Sequence, residues 1–190
     1  MKRIAVLIAL TLALVAGAYS QVQVGSKVEN FSLPDTDGRT QSLADLKGSN
    51  GVVLVFVSIQ CPVVRGYNDR MNELAKTYKA KGINVIGIDS NVTEPASDIK
   101  AHQMMTWDFP VLIDKDAKIA DKFGADVTPE TYYIDANGVL LYHGAIDNDR
   151  SGRNVTERFL QTAFDSTLSG KKVERTSANA FGCSIKKTAQ

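Results

Sequence analysis

The sequence predicts an α/β domain of three layers, a mixed central β-sheet flanked by helices, and three observations carry that expectation. Residues 52–57 (VVLVFV) form a continuous β-branched and aromatic run, the pattern of a strand buried on both faces. Val64, Tyr67, Met71, Leu74, Ala75 and Tyr78 then recur at three- and four-residue spacing, which is the stripe of an amphipathic helix. Strand and helix patterns go on alternating, so neighbouring strands should be parallel and joined by right-handed crossovers.

In chain order, residues 1–20 come first. Lys2 and Arg3, the apolar run 4–15 and the small residues Ala18-Tyr19-Ser20 match a cleavable signal peptide, cut after Ser20 or after Ala18. The run is shorter than the ~20 residues that span a bilayer. An uncleaved anchor and a buried N-terminal helix are the alternatives. The expectation is a secreted or periplasmic protein, with a domain over residues 21–190 and no membrane attachment after cleavage.

Residues 21–50 carry turn signals at Asp35-Thr36-Asp37-Gly38 and apolar pegs at Phe31 and Leu33, and read as a short hairpin or capping segment. After the central strand, the helix opened by Pro62 runs to Lys81-Gly82, where glycine ends it. A strand is expected over residues 83–89, a second helix over 95–105, a short strand over 111–113 and a helical turn around 115–123. Asn137-Gly138 between two β-rich runs, 131–134 and 139–143, is a hairpin signal, so an antiparallel pair closes the sheet. A last helix is expected over residues 153–168, followed from about residue 169 by a polar, basic tail.

Composition narrows the function. A count of 22 Lys and Arg against 21 Asp and Glu leaves a net charge of +1, and no basic run provides a footprint for nucleic acid. The 2 cysteines, Cys61 and Cys183, are too few and too distant for a disulfide-dense scaffold or a zinc ligand set. His102, Met104, Met105 and His143 offer soft ligands that a metal could share with Cys61, but surface and packing roles account for them more simply. Neither a metal nor a cofactor is expected.

The chemistry centres on Cys61. It follows the buried strand after the turn Ser58-Ile59-Gln60 and precedes a proline, the residue favoured at the first helical position, so it should be an N-cap near the surface. Free backbone N–H groups and the positive end of the helix dipole there stabilise a thiolate, the nucleophilic form of cysteine. A small buried hydrophobe is the alternative reading of the same residue. Cys183 has three: a structural disulfide partner, a resolving thiol, or an independent free thiol. A helix N-terminus is a poor place for a permanent staple.

Several of these features together resemble a known family. The stretch 25–48 with Phe31, Leu33, Gly38 and Leu46, then VVLVFVSIQCP, then Thr128-Pro129, Tyr133-Ile134-Asp135 and Asn137-Gly138, resembles the redoxin branch of the thioredoxin superfamily, which includes the AhpC/TSA proteins and exported thiol-disulfide oxidoreductases. The closing Gly182-Cys183-Ser184-Ile185-Lys186 resembles the end of a peroxiredoxin-like subgroup. The resemblance implies a thioredoxin-like fold over residues 24–168, catalytic roles for Cys61, Cys183 and Ser58, and a substrate wall made by Pro62 and a cis-proline loop at Thr128-Pro129. It implies a peroxide or a disulfide as substrate and an external thiol as reductant. Ser58 matches the hydroxyl of the peroxiredoxin pattern P-x-x-x-[TS]-x-x-C, while Leu54 stands at its proline. The family arginine has no counterpart in Val127-Thr128-Pro129, leaving Arg65 and Arg150 as candidate substitutes. Val64 occupies the second cysteine of C-x-x-C, so any internal disulfide must use Cys183. A peroxidase, a thiol-disulfide oxidoreductase without peroxidase activity and a redox-inactive binding module all follow from this pattern.

Overall fold

The computed structural model describes residues 21–187; the expected signal peptide lies outside the described residues. A hairpin of β1 (Ser32–Pro34) and β2 (Thr40–Ser42) leads into one helical turn, α1 (Leu43–Leu46), whose cap is the Ser42 hydroxyl accepting from the Asp45 amide. The chain continues through β3 (Gly51–Val57), α2 (Pro62–Lys79), β4 (Ile83–Asp89), α3 (Ala96–Thr106), β5 (Val111–Ile113) and α4 (Lys118–Phe123). It closes with β6 (Val127–Thr128), β7 (Glu130–Asp135), β8 (Leu140–Gly144), α5 (Phe159–Leu168), β9 (Ser177–Ala178) and β10 (Cys183–Ser184).

The main sheet has the order β5-β4-β3-β7-β8-β9. Its first three strands are parallel, and β7 and β8 turn it antiparallel, as the Asn137-Gly138 signal predicts. All of β3 is buried. Because side chains alternate across a strand, Val53, Val55 and Val57 meet Val64, Tyr67, Met71 and Tyr78 of α2 and Phe164 of α5 on one face. Val52, Leu54 and Phe56 meet Phe123 of α4 and Tyr132 on the other, with Leu43 of the N-terminal segment. The fold is a mixed sheet between two helical layers, as predicted.

One expectation needs correction. The last helix begins at Phe159, not at residue 153. Val155 fits the helical spacing, but Asn148 Oδ1 accepts from the amides of Thr156 and Glu157, and Asp149 Oδ2 accepts from that of Asn154. Such side chains offer the backbone an alternative to helix, and here they hold a loop. The polar tail is tied back onto the fold. β9 pairs parallel with β8, and β10 pairs antiparallel with β6, setting Cys183 opposite Thr128 and Ser184 opposite Val127.

Candidate active site

The buried strand β3 drives the chain straight into the turn Ser58–Gln60, and Pro62 starts α2 at once, which fixes Cys61 as its N-cap. Cys61 is only 1% exposed, which corrects the expectation of a surface thiol. Two segments distant in sequence cover it. The Thr128-Pro129 peptide bond is cis, and the Thr128 carbonyl lies 3.2 Å from Cys61 Sγ. On the same side, the tail brings Cys183 Sγ to 2.8 Å from Cys61 Sγ, with both cysteines free. The spacing is within a small adjustment of the roughly 2.05 Å of a disulfide.

The two thiols perturb each other in opposite directions. Burial is the largest single influence on Cys61 and works against ionising it, but hydrogen bonds from Cys183, from the Val64 amide in the first turn of α2 and from Thr128 together outweigh it, so the Cys61 thiol is held below its usual value. Cys183 moves up, chiefly because it is the hydrogen-bond partner of Cys61 and then through burial. Of the two, Cys61 is the thiol that ionises first, and Cys183 is the one left to donate a hydrogen bond to it.

Gly182 explains how the tail gets this close. A Cβ at that position would stand 1.9 Å from the Thr128 carbonyl oxygen, so only glycine lets the strand lie flat on the cis-proline loop. Further along, Ile185 donates its amide to Asp126 O and packs into the core, while Lys187 Nζ reaches Asp121 and Asp126.

Ser58 is placed differently from its expected role. Its hydroxyl donates to Glu94 Oε1 at 2.5 Å, and the same carboxylate accepts from the amides of Ile59 (2.9 Å) and Gln60 (3.2 Å). Ser58 thus anchors the turn before Cys61 and does not hydrogen-bond its sulfur. Glu94 is buried, and so is Asp89 at the end of β4, whose carboxyl is pushed up to about 8 first by burial and then by the neighbouring Glu94. A proton on Asp89 Oδ2, otherwise without a partner, relieves the repulsion between the two carboxylates. Asn91 links this pair to the tail: its amide and Nδ2 donate to Asp89 Oδ1, Nδ2 also reaches Val57 O, and Oδ1 accepts from the Lys186 amide.

Sequence reasoning missed Glu94, Asp89 and Asn91. The available signal was an aspartate ending the apolar run 85–88 (VIGI), because a carboxylate continuing a buried run must find partners. Of the two candidate arginines, Arg150 has its guanidinium 5.5 Å from the Phe181 ring, and Arg65 lies in the first turn of α2 with its backbone amide bonded to Cys61 O. Among the described residues, the side-chain hydrogen bonds of Cys61 run to Cys183 and Thr128. His102 packs edge-on against Trp107 and His143 stacks on Tyr132.

A cysteine at a helix N-cap, facing a cis-proline loop at the end of a mixed sheet, defines a thiol-based oxidoreductase of the thioredoxin fold. The chain belongs to the AhpC/TSA family, whose family model matches residues 24–143. It is 35% identical over 121 residues to the thiol-disulfide oxidoreductase ResA of Bacillus thuringiensis (strain Al Hakam), a match covering 64% of this chain and 69% of that protein. The ResA of Bacillus subtilis (strain 168) is 33% identical over 132 residues, covering 68% and 70%. Among solved structures, the hypothetical protein SMc02350 from Sinorhizobium meliloti 1021 superposes with a TM-score of 0.81 at 32% identity, covering 90% of this chain and 98% of that one. The peroxidoxin BcpB from Mycobacterium tuberculosis, at 21% identity and a TM-score of 0.58, shares the fold; the match covers 79% of this chain and 96% of that one.

Proposed function

We propose that the protein is a thiol-disulfide oxidoreductase that cycles between a Cys61, Cys183 dithiol and a Cys61–Cys183 disulfide. The observation that carries this reading is the 2.8 Å approach of the two sulfurs across the cis-proline loop. In the forward direction the Cys61 thiolate attacks one sulfur of a substrate disulfide and expels the other as a thiolate, which takes up a proton. Cys183 then loses its proton, attacks Cys61 Sγ and releases the second substrate thiol. Two electrons pass from the dithiol to the substrate, and an external thiol returns them. Cys61→Ser abolishes both steps, whereas Cys183→Ser stops after the first and accumulates a mixed disulfide.

Burial of Cys61 favours a second oxidant class, since a small hydroperoxide needs less room than a protein disulfide. Attack on the peroxide would put an oxygen on Cys61 as a sulfenic acid and release an alcohol or water; Cys183 would then condense with it, losing water. The engaged Ser58 hydroxyl and the absence of an arginine hydrogen bond at the sulfur weigh toward disulfide exchange. The pattern of residues 1–20 supports an exported protein, which cell fractionation with N-terminal sequencing would test.

The deciding experiment is stopped-flow reaction of the reduced protein, wild type and Cys61→Ser, with a peptide disulfide and separately with hydrogen peroxide. Fast Cys61-dependent exchange with the peptide, slower peroxide consumption and a Cys61–Cys183 bond in the product are expected. The opposite order of rates would make peroxide the substrate. No reaction with either would leave a redox-inactive binding module.

A further inference from the structure

We infer that external thiols enter this redox centre at Cys183 on the C-terminal strand, and that Cys61 is the leaving thiol when the internal disulfide is reduced. The inference rests on the Cys61–Cys183 cycle proposed above and assigns the direction in which that disulfide opens.

Thiol exchange requires the incoming thiolate to approach a sulfur from the side opposite the bond that breaks. Of the two sulfurs, Cys61 is the harder to reach. It is 1% exposed, with the Thr128 carbonyl 3.2 Å from the sulfur and Tyr67, also buried, in the same core cluster. Cys183 is partly exposed, and it lies on a two-residue strand whose neighbours Gly182 and Ser184 are exposed. The backbone edge that could otherwise receive an extended substrate is also occupied. β10 fills it with Cys183 opposite Thr128, and bonds from Ile185 to Asp126 O, from Lys186 to Asn91 Oδ1 and from Val92 to Lys186 O carry the attachment two residues further. The tail is thus a tethered partner strand that sets its own partly exposed cysteine against Cys61.

Charge favours the same direction. The Lys186 ammonium is close enough to act on Cys183, and Lys186 is exposed, so an approaching thiolate meets a cation. Leaving-group chemistry agrees as well, because the thiol of lower pKa departs faster and Cys61 is the one held low. The step is balanced: a new bond forms between the external sulfur and Cys183 Sγ, the Cys61–Cys183 bond breaks, and its electron pair stays on Cys61 as the thiolate. A second external thiol then attacks the mixed disulfide on Cys183, and the proton returns to the Cys183 thiol.

The test uses the full chain oxidised with diamide, with the Cys61–Cys183 bond verified by peptide mapping before the next step. It is mixed briefly with glutathione, quenched in acid and denaturant, alkylated and mapped by mass spectrometry. Glutathione on the Cys183 peptide with alkylated Cys61, in at least tenfold excess over the reverse product, is expected. Glutathione on Cys61, or an even split, overturns the inference while leaving the dithiol cycle intact. Failure of diamide to produce the Cys61–Cys183 bond overturns the cycle and the inference with it. As a second measurement, Cys61→Ser should carry glutathione on Cys183 that a dithiol removes quickly, and Cys183→Ser should release it from Cys61 more slowly. Equal rates would also overturn the assignment.

Discussion

Cys61 illustrates how little a nucleophile supplies for itself. Burial alone would raise its pKa, and its own helix offers only the Val64 amide against that. The largest of the influences that lower it comes from a thiol 122 positions away in the chain. Beneath it, Glu94 gathers three donors from the preceding turn, and a buried carboxylate accepting such bonds is worth more than a neutral acceptor, because charge-assisted hydrogen bonds are the stronger kind. Asp89 carries the compensating proton, and this gives a prediction with a definite sign. Its folded pKa of about 8 lies above the ordinary 3.8, so between those limits the folded protein holds a proton that the unfolded chain has lost. The contribution is fully present below the unfolded value and is lost as pH rises through about 8. Chemical denaturation from pH 4 to 8 should therefore show a component of stability that declines with pH in wild type and is absent in Asp89→Asn. An identical slope in both proteins would remove Asp89 as the proton carrier.

At the scale of elements, the tail strand and the cis-proline loop act as one unit. β10 has only 2 residues and β6 only 2, too few to hold together without the contacts around them. Gly182, the anchoring Ile185 and the Asn91 bracket supply those contacts. Gly182→Ala would force a methyl group onto the Thr128 carbonyl. We expect it to cost about 1–3 kcal/mol in the reduced protein, the usual range for overpacking. It should also slow closure of the Cys61–Cys183 disulfide after oxidation, since the strand must shift away. Equilibrium denaturation and a timed alkylation assay measure the two effects. A variant with wild-type closure kinetics would mean that the strand is not what brings the sulfurs together. The neighbouring α5 shows the reverse case of an element shorter than its periodicity suggests, because Asn148 and Asp149 claim backbone amides that a helix would have used.

For the whole molecule, the disulfide would close a loop spanning Cys61 to Cys183, most of the domain. In the chain-entropy treatment such a loop stabilises the folded state by about 5 kcal/mol relative to the dithiol. Parallel denaturant titrations of oxidised and reduced protein should show a gap of that order; coincident curves would mean that oxidation leaves the chain uncrosslinked. Much of this architecture was legible beforehand. The buried run at 52–57, the helical stripe from Val64 to Tyr78 and the Asn137-Gly138 turn are local patterns whose periods of 2.0 and 3.6 residues declare which faces must be covered, and they placed the sheet, its flanking helices and the N-cap cysteine. Proline after cysteine located the nucleophile for the same reason. The partners of that nucleophile were not legible, because they are long-range. Cys183 lies in a polar tail with no hydrophobic period, Ser58 is turned toward Glu94 by a contact 36 residues away, and the Asp89 carboxyl is pushed up first by its own burial and then by Glu94 beside it. The sequence by itself determined a thioredoxin-like α/β domain with one poised cysteine; the tertiary structure decided what that cysteine faces, since hydrogen bonding and pKa depend on which distant groups the folded chain brings within about 3 Å.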